Sequence, residues 1–297
     1  MRNNPIATSN PWLIYLTWVA ICCLIFWKPL GMLVSYSLHY VNASHILLVP
    51  LIVAWLLHID RSRMPKTCLL DFPGALFFAL PAALIWGISF WNQRSRPDAV
   101  ISLLALSFVL MLTAGFVAVF GRSSAKAVWF SLAFLGFAIP LPEALLNRTI
   151  YFLQYGSAAV AEWIFDWSGV PVLREGFVFH LPGLSIEVAR ECSGIRSSTA
   201  LLILALLVAH FAFSRLWKKG VFVFAGLLMM VLKNGVRIAT LTILAKYVDP
   251  GFLYGRLHHE GGVVFFLVGL AFLAPVYWLL RRGEVTHPGT GSPAATV

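Results

Sequence analysis

Along this chain, long apolar runs alternate with short polar breaks. The runs fall at about 11–30, 43–59, 73–91, 99–120, 126–146, 195–213, 220–246 and 259–280. Crossing a bilayer takes about 20 apolar residues in helical form, so the pattern predicts an all-α polytopic membrane protein with about eight transmembrane helices. The breaks are polar and mostly basic: Arg61-Ser-Arg-Met-Pro-Lys66, Asn92-Gln-Arg-Ser-Arg-Pro-Asp98, Gly121-Arg-Ser-Ser-Ala-Lys126 and Ser214-Arg-Leu-Trp-Lys-Lys219.

Only one connection is long, residues 147–194. From Asn147 to Trp167, aromatic and aliphatic residues recur at helical spacing around Gln154, Glu162 and Asp166. This predicts an interfacial amphipathic helix with Trp163 and Trp167 at headgroup level. From Gly169 to Val188, apolar and polar residues alternate between Gly and Pro breaks, the signature of one or two short strands. The expected domain is a single membrane unit over 1–282 with this insert, followed by a Gly/Pro/Ser/Thr-rich tail, 283–297, expected to be disordered.

Composition agrees with the pattern. The chain is 60% hydrophobic and 11% charged, with mean hydropathy +0.83, whereas soluble domains carry about 25% charged residues. The net charge of +10 would suggest a nucleic-acid partner in a soluble protein. Here the cations sit in short clusters between spans, which is how topology is set, so the partner they imply is the lipid bilayer and no nucleic acid is expected. Counted over short loops, the cations favour both termini in the cytoplasm, which puts 147–194 on the extracytoplasmic face.

Three polar islands interrupt the apolar background. Arg190 and Arg196 surround Cys192, which lies just before the run at 195–213. Lys233-Asn-Gly-Val-Arg237 lies within the seventh run, where a charge at mid-membrane costs about 2.5–3.5 kcal/mol and by default faces an interior cavity. Asn234 and Arg237, three apart, share a helix face; Lys233 and Lys246 are read as packing or snorkelling cations. The last run opens with Leu257-His-His-Glu-Gly-Gly262. Adjacent His258 and His259 diverge on a helix, so no metal is expected there. Topology sets Cys192, Arg237 and His258 near one membrane face. Thiolate, guanidinium and imidazole together suit acyl transfer, with nucleophile, oxyanion partner and proton carrier all supplied. Cys22, Cys23 and Cys68 offer Cys192 no evident partner for a disulfide. The competing reading is a transporter or channel whose path is lined by Arg237, Asn234 and His258; transporters often show paired broken helices in two related halves, and here the intramembrane polar residues sit only in the C-terminal half.

Glu191-Cys-Ser-Gly-Ile-Arg-Ser197, Asn234-Gly-Val-Arg237 and His258-His-Glu-Gly-Gly262 resemble, in order and spacing, the three signature blocks of the exosortase/archaeosortase family, polytopic sortase-like cysteine transpeptidases. The resemblance covers about residues 20–280. It implies Cys192 as nucleophile, Arg237 as stabilising cation and His258, favoured by its spacing to Gly262, as third member. Ser193, Gly194, Asn234, Arg196 and the neighbouring His259 would support them, and no cofactor is implied. The implied substrates are exported proteins with a C-terminal sorting tail: a Pro-Glu-Pro-like motif, a transmembrane helix and a basic cluster. The implied setting is the inner membrane, with a link to exopolysaccharide or to cell-surface protein sorting; the acyl acceptor is not legible.

Overall fold

The computed structural model describes residues 10–92, 97–253, 255 and 261–282. The chain divides into two compact units, Met1–Asn147 and Arg148–Val297. Among the described residues, six helices are long and apolar enough to cross a membrane, or up to eight spans if each of two bent helix pairs counts as one. The architecture is that of a polytopic all-α membrane protein with a small sheet. The tail 283–297 lies outside the described residues.

In the first unit, α1 (Pro11–Ile25) starts at Asn10, whose Oδ1 accepts the Trp12 N–H at 3.0 Å, an N-cap with proline at the first helical position. The single span expected at 11–30 is instead α1 and α2 (Trp27–His39), bent by 79°. Pro29 explains the break, because its ring clashes with the carbonyl of Ile25 four residues back. A 3-10 turn, Val41–Leu47, leads into α3 (Val49–Ile59), and α4 (Phe72–Asn92) packs along α5 (Pro97–Ala127). Trp18 of α1 lies on α5 where Gly115 leaves room, and its indole N–H donates to the Met111 carbonyl at 3.0 Å.

Helix α5 kinks at Gly121, which sits at φ 79°, a conformation glycine adopts without strain. The kink releases carbonyls one turn earlier. The N–H groups of Leu69 and Asp71 take them, bonding Val119 O and Ala118 O at 2.9 and 3.0 Å. Asp71 completes the joint by accepting from Arg122 Nε at 2.7 Å, Arg122 N at 3.2 Å and Gly74 N at 3.0 Å. The span expected at 126–146 is not one helix. It is α6 (Trp129–Phe134), a 3-10 turn Leu135–Ala138, and a break at Pro140 and Pro142 before α7 (Glu143–Ser168).

Helix α7, which belongs to the second unit from Arg148 onward, begins at Glu143, ahead of the expected Asn147, and one face of it is buried: Ile150, Leu153, Gln154, Ser157, Ala158, Ala161 and Phe165. These fall at i, i+3, i+4 spacing, while Trp163 and Trp167 stay exposed. The helix ends at Gly169 in the left-handed region. Val170 N bonds Phe165 O at 3.0 Å and Gly169 N bonds Asp166 O at 3.2 Å, both bonds of a Schellman cap.

Three strands follow where one or two were expected: β1 (Leu173–Glu175), β2 (Val178–Leu181) and β3 (Leu184–Glu187), an antiparallel sheet in the order β1-β2-β3. Glycines 176 and 183, both at positive φ, make the two tight turns, the second with the Pro-Gly pair that suits a type II turn. Phe179 and Leu181 point inward. They pack with Ala158, Ala161 and Phe165 of α7 and with residues Ile238 and Ala239 further along the chain. Burying a side chain like Phe179 contributes about 1.5–3 kcal/mol. Arg174 ties β1 to α7 through Glu162 at 2.7 Å.

Helices α8 (Ile195–Ala212), α9 (Leu216–Tyr247) and α10 (Gly262–Arg281) complete the unit, each of α8 and α10 packing on α9. At one end Phe213, Phe222 and Tyr277 cluster, and Lys218 Nζ donates to Leu280 O at 2.7 Å, satisfying a carbonyl in the last turn of α10. Lys246, near the other end of α9, donates to Pro182 O in the turn between β2 and β3.

Candidate active site

Cys192 lies on a 3-10 turn, Arg190–Ser193, between β3 and α8. The chain enters this turn at a held height, because the buried Gln154 of α7 donates from Nε2 to Val188 O at 2.8 Å. It leaves through Gly194, at φ 70° and ψ 17°, which is also the N-cap of α8. Of Cys192 and Glu191 the structure describes the backbone alone. His258 and His259 lie outside the described residues, so the third signature block is placed only through Gly261 and Gly262 at the start of α10.

The first two signature blocks meet directly. Asn234 is 1% exposed, and its Oδ1 lies 2.7 Å from the position a Cβ on Gly194 would take. Its Nδ2 donates to Ser157 Oγ of α7 at 3.1 Å. Asn234 therefore packs on the glycine two residues after the thiol and is itself oriented from α7. The helices come close enough for this because Gly235 carries no side chain: a Cβ there would meet Val160 at 2.5 Å and Ser157 O at 2.9 Å. Small residues permit such approach between membrane helices.

The remaining site residues are placed as follows. Arg237 is half-buried on α9, one turn beyond Asn234 and roughly 4.5 Å along the axis at 1.5 Å per residue. Ser193 is buried, while Arg196 and Arg190 are exposed. The Ser193 and Ser198 hydroxyls, on either side of Gly194, have no hydrogen-bond partner among the described residues.

Lys233 takes the packing alternative of its sequence reading. Rather than snorkelling, it is 3% exposed and donates from Nζ to Ser197 Oγ in the first turn of α8 at 2.7 Å. Holding that ammonium within the bundle costs about 2.5–3.5 kcal/mol on insertion scales. Its position was visible in the sequence; its direction was not, since a lysine stem can turn either way from a helix. Gln154 and Ser157 are the residues the sequence reading missed as site supports. The one signal was their polarity on the apolar face of α7.

The comparisons decide the family. The model for the transmembrane exosortases matches residues 39–275, well over half of the chain. The chain belongs to the transmembrane exosortase family. No curated protein and no solved structure matches it. An exosortase is an integral membrane protein of sorting-related transpeptidase type, which implies exported proteins as substrates. The matched span contains all three signature blocks, and it includes β1–β3 as well as α8 and α9.

Proposed function

We propose that this exosortase is a cysteine transpeptidase that cleaves the C-terminal sorting tail of exported proteins, with Cys192, Arg237 and His258 as its catalytic residues. The contact of Asn234 with Gly194 carries this reading: it joins the turn bearing the thiol to the helix face bearing the guanidinium. In the reaction, the Cys192 thiolate adds to the scissile carbonyl, and Arg237 faces the oxyanion that develops. Collapse breaks the C–N bond, and the departing amine takes a proton from His258. The substrate is left as a thioester on Cys192. An acceptor nucleophile then attacks the thioester carbonyl, gives a proton back to His258 and releases the thiolate.

Both termini are cytoplasmic in this reading, and the site opens on the extracytoplasmic face. The tail carries a Pro-Glu-Pro-like motif, a transmembrane helix and a basic cluster. The short sheet leading into the Cys192 turn would receive the extended motif by strand addition. Deleting or scrambling 170–189 without loss of cleavage would discard that docking role.

The test is co-expression with an exported reporter carrying such a tail. Wild type should shorten the reporter, while Cys192→Ala and Cys192→Ser should leave it full-length. Equal processing in wild type and both variants, or an uncut reporter in wild type, would overturn the proposal. The second of these is what a transporter lined by Arg237, Asn234 and His258 would give.

A further inference from the structure

Two consecutive residues of α9 converge on one backbone unit of the Cys192 segment. Asn234 covers the Cα of Gly194. Lys233 reaches the same residue through a relay: its Nζ donates to Ser197 Oγ at 2.7 Å, and Ser197 Oγ donates to Gly194 O at 3.1 Å. That carbonyl also accepts the Ser198 N–H at 2.9 Å, the first helical bond of α8. The hydroxyl of Ser197 thus links a buried cation to the point where α8 begins, two residues after the thiol.

Lys233 also touches the helix that follows the histidine block. Its stem runs over Gly269 of α10, where a Cβ would lie 3.4 Å from Lys233 Cδ and 3.7 Å from its Cβ, and 3.8 Å from Leu201 of α8. One side chain therefore lies at the junction of α8, α9 and α10, the three helices that carry or directly follow the signature blocks. Gly262, which closes the third block, is seven residues before Gly269, roughly 10 Å along α10. Arg237 is four residues after Lys233, roughly 6 Å along α9 in the same direction from the junction.

We infer that Lys233 is a positioning residue for Cys192, acting through Ser197 and Gly194 to hold the start of α8 at a fixed height against α9 and α10. The inference deepens the transpeptidase reading and rests on it for the role of the thiol. In this role Lys233 holds a backbone joint rather than the reacting atoms. It supplies a charge-assisted hydrogen bond, which is shorter and stronger than a neutral one, at the joint that sets where the thiol stands.

The experiment uses the full-length protein in membranes, comparing Lys233→Met, Ser197→Ala, the double variant and Lys233→Arg. Two rates are read: shortening of the tailed reporter, and alkylation of Cys192 by a maleimide, quantified on the Cys192 peptide by mass spectrometry. Lys233→Met and Ser197→Ala should each slow both rates by on the order of tenfold to a hundredfold, the loss of one charge-assisted bond. The double variant should be no slower than the slower single, because both remove the same link. Lys233→Arg, which keeps a cationic donor, should recover part of the loss. Wild-type rates in Lys233→Met, or losses that multiply in the double variant, would overturn the inference. So would a lowered melting temperature with an unchanged alkylation rate, the outcome of a merely structural lysine. If Lys233→Met fails to accumulate, Ser197→Ala decides alone, and unchanged rates there count against the relay. The alkylation arm needs no substrate, so it still judges the positioning role even if Cys192→Ala leaves the reporter cut and the transpeptidase reading falls.

Discussion

Replacing Gly194 by alanine adds one methyl group where the two signature blocks touch. An L-residue in the left-handed conformation of Gly194 costs about 1–2 kcal/mol. The methyl would also sit 2.7 Å from Asn234 Oδ1 and 3.0 Å from its Cγ, so the amide has to move. Moving it breaks the buried bond to Ser157, at about 1–3 kcal/mol. The expected loss is therefore about 2–5 kcal/mol. In an Asn234→Ala background the obstruction is gone, since the Asn234 Cβ lies an ordinary 3.6 Å away. There the same Gly194→Ala change should cost only the backbone term of about 1–2 kcal/mol. Thermal unfolding of the detergent-solubilised protein reads this at roughly 2–4 °C per kcal/mol. The melting temperature should fall by about 4–20 °C in the native background and by about 2–8 °C beside Asn234→Ala, on the same conversion. Equal falls in the two backgrounds would refute the contact, and no fall in either would refute the strained glycine as well.

Two further outcomes follow from the same structure. Burial raises the Asp71 carboxyl, but the Arg122 guanidinium and the Gly74 and Arg122 N–H groups outweigh it and hold the group below the usual carboxylate range. Its stabilising effect is thus complete above about pH 4 and lost as pH falls through the depressed value. Asp71→Asn should lower the melting temperature at pH 7, with the gap to wild type closing toward pH 3; a gap that is constant with pH would refute the linkage. Arg237→Lys should impair reporter cleavage nearly as much as Arg237→Ala, because a lysine lacks the planar fork of donors. Full cleavage in Arg237→Lys would reduce Arg237 to a simple charge.

The sequence made the spans legible wherever an uninterrupted apolar run met a basic break, as at α4, α5, α8, α9 and α10. It misled where run length was weighed above proline. Pro29 and the pair Pro140 and Pro142 carried the signal for the breaks in the first and fifth runs, because proline disrupts the helical bonds around it. The third strand was likewise written in two glycines that make two turns rather than one. At the site, Cys192, Asn234 and Arg237 were findable because polar residues in an apolar run are costly. The relay from Lys233 through Ser197 was not. It depends on which neighbour fills the space beside a lysine, and Gly269, the residue that makes that space, lies more than thirty positions away in sequence.

Helix α9 does not stop at the level of the thiol-bearing turn. Past Asn234 it continues thirteen residues to Tyr247, roughly 20 Å, and the sheet and α7 pack on this extension through Ile238 and Ala239, with Ile243 against the same core. In the proposed mechanism the acyl group would be carried on the turn that follows the sheet, next to this packed wall. Bulk water outnumbers any amine or hydroxyl acceptor, so ligation competes with hydrolysis only where water's approach is restricted. On the proposed mechanism, the partition between ligated product and free acid would then depend on the wall, separably from the speed of the first cleavage. Loosening Ile238 or Phe179 should shift that ratio toward the free acid before it slows the cut.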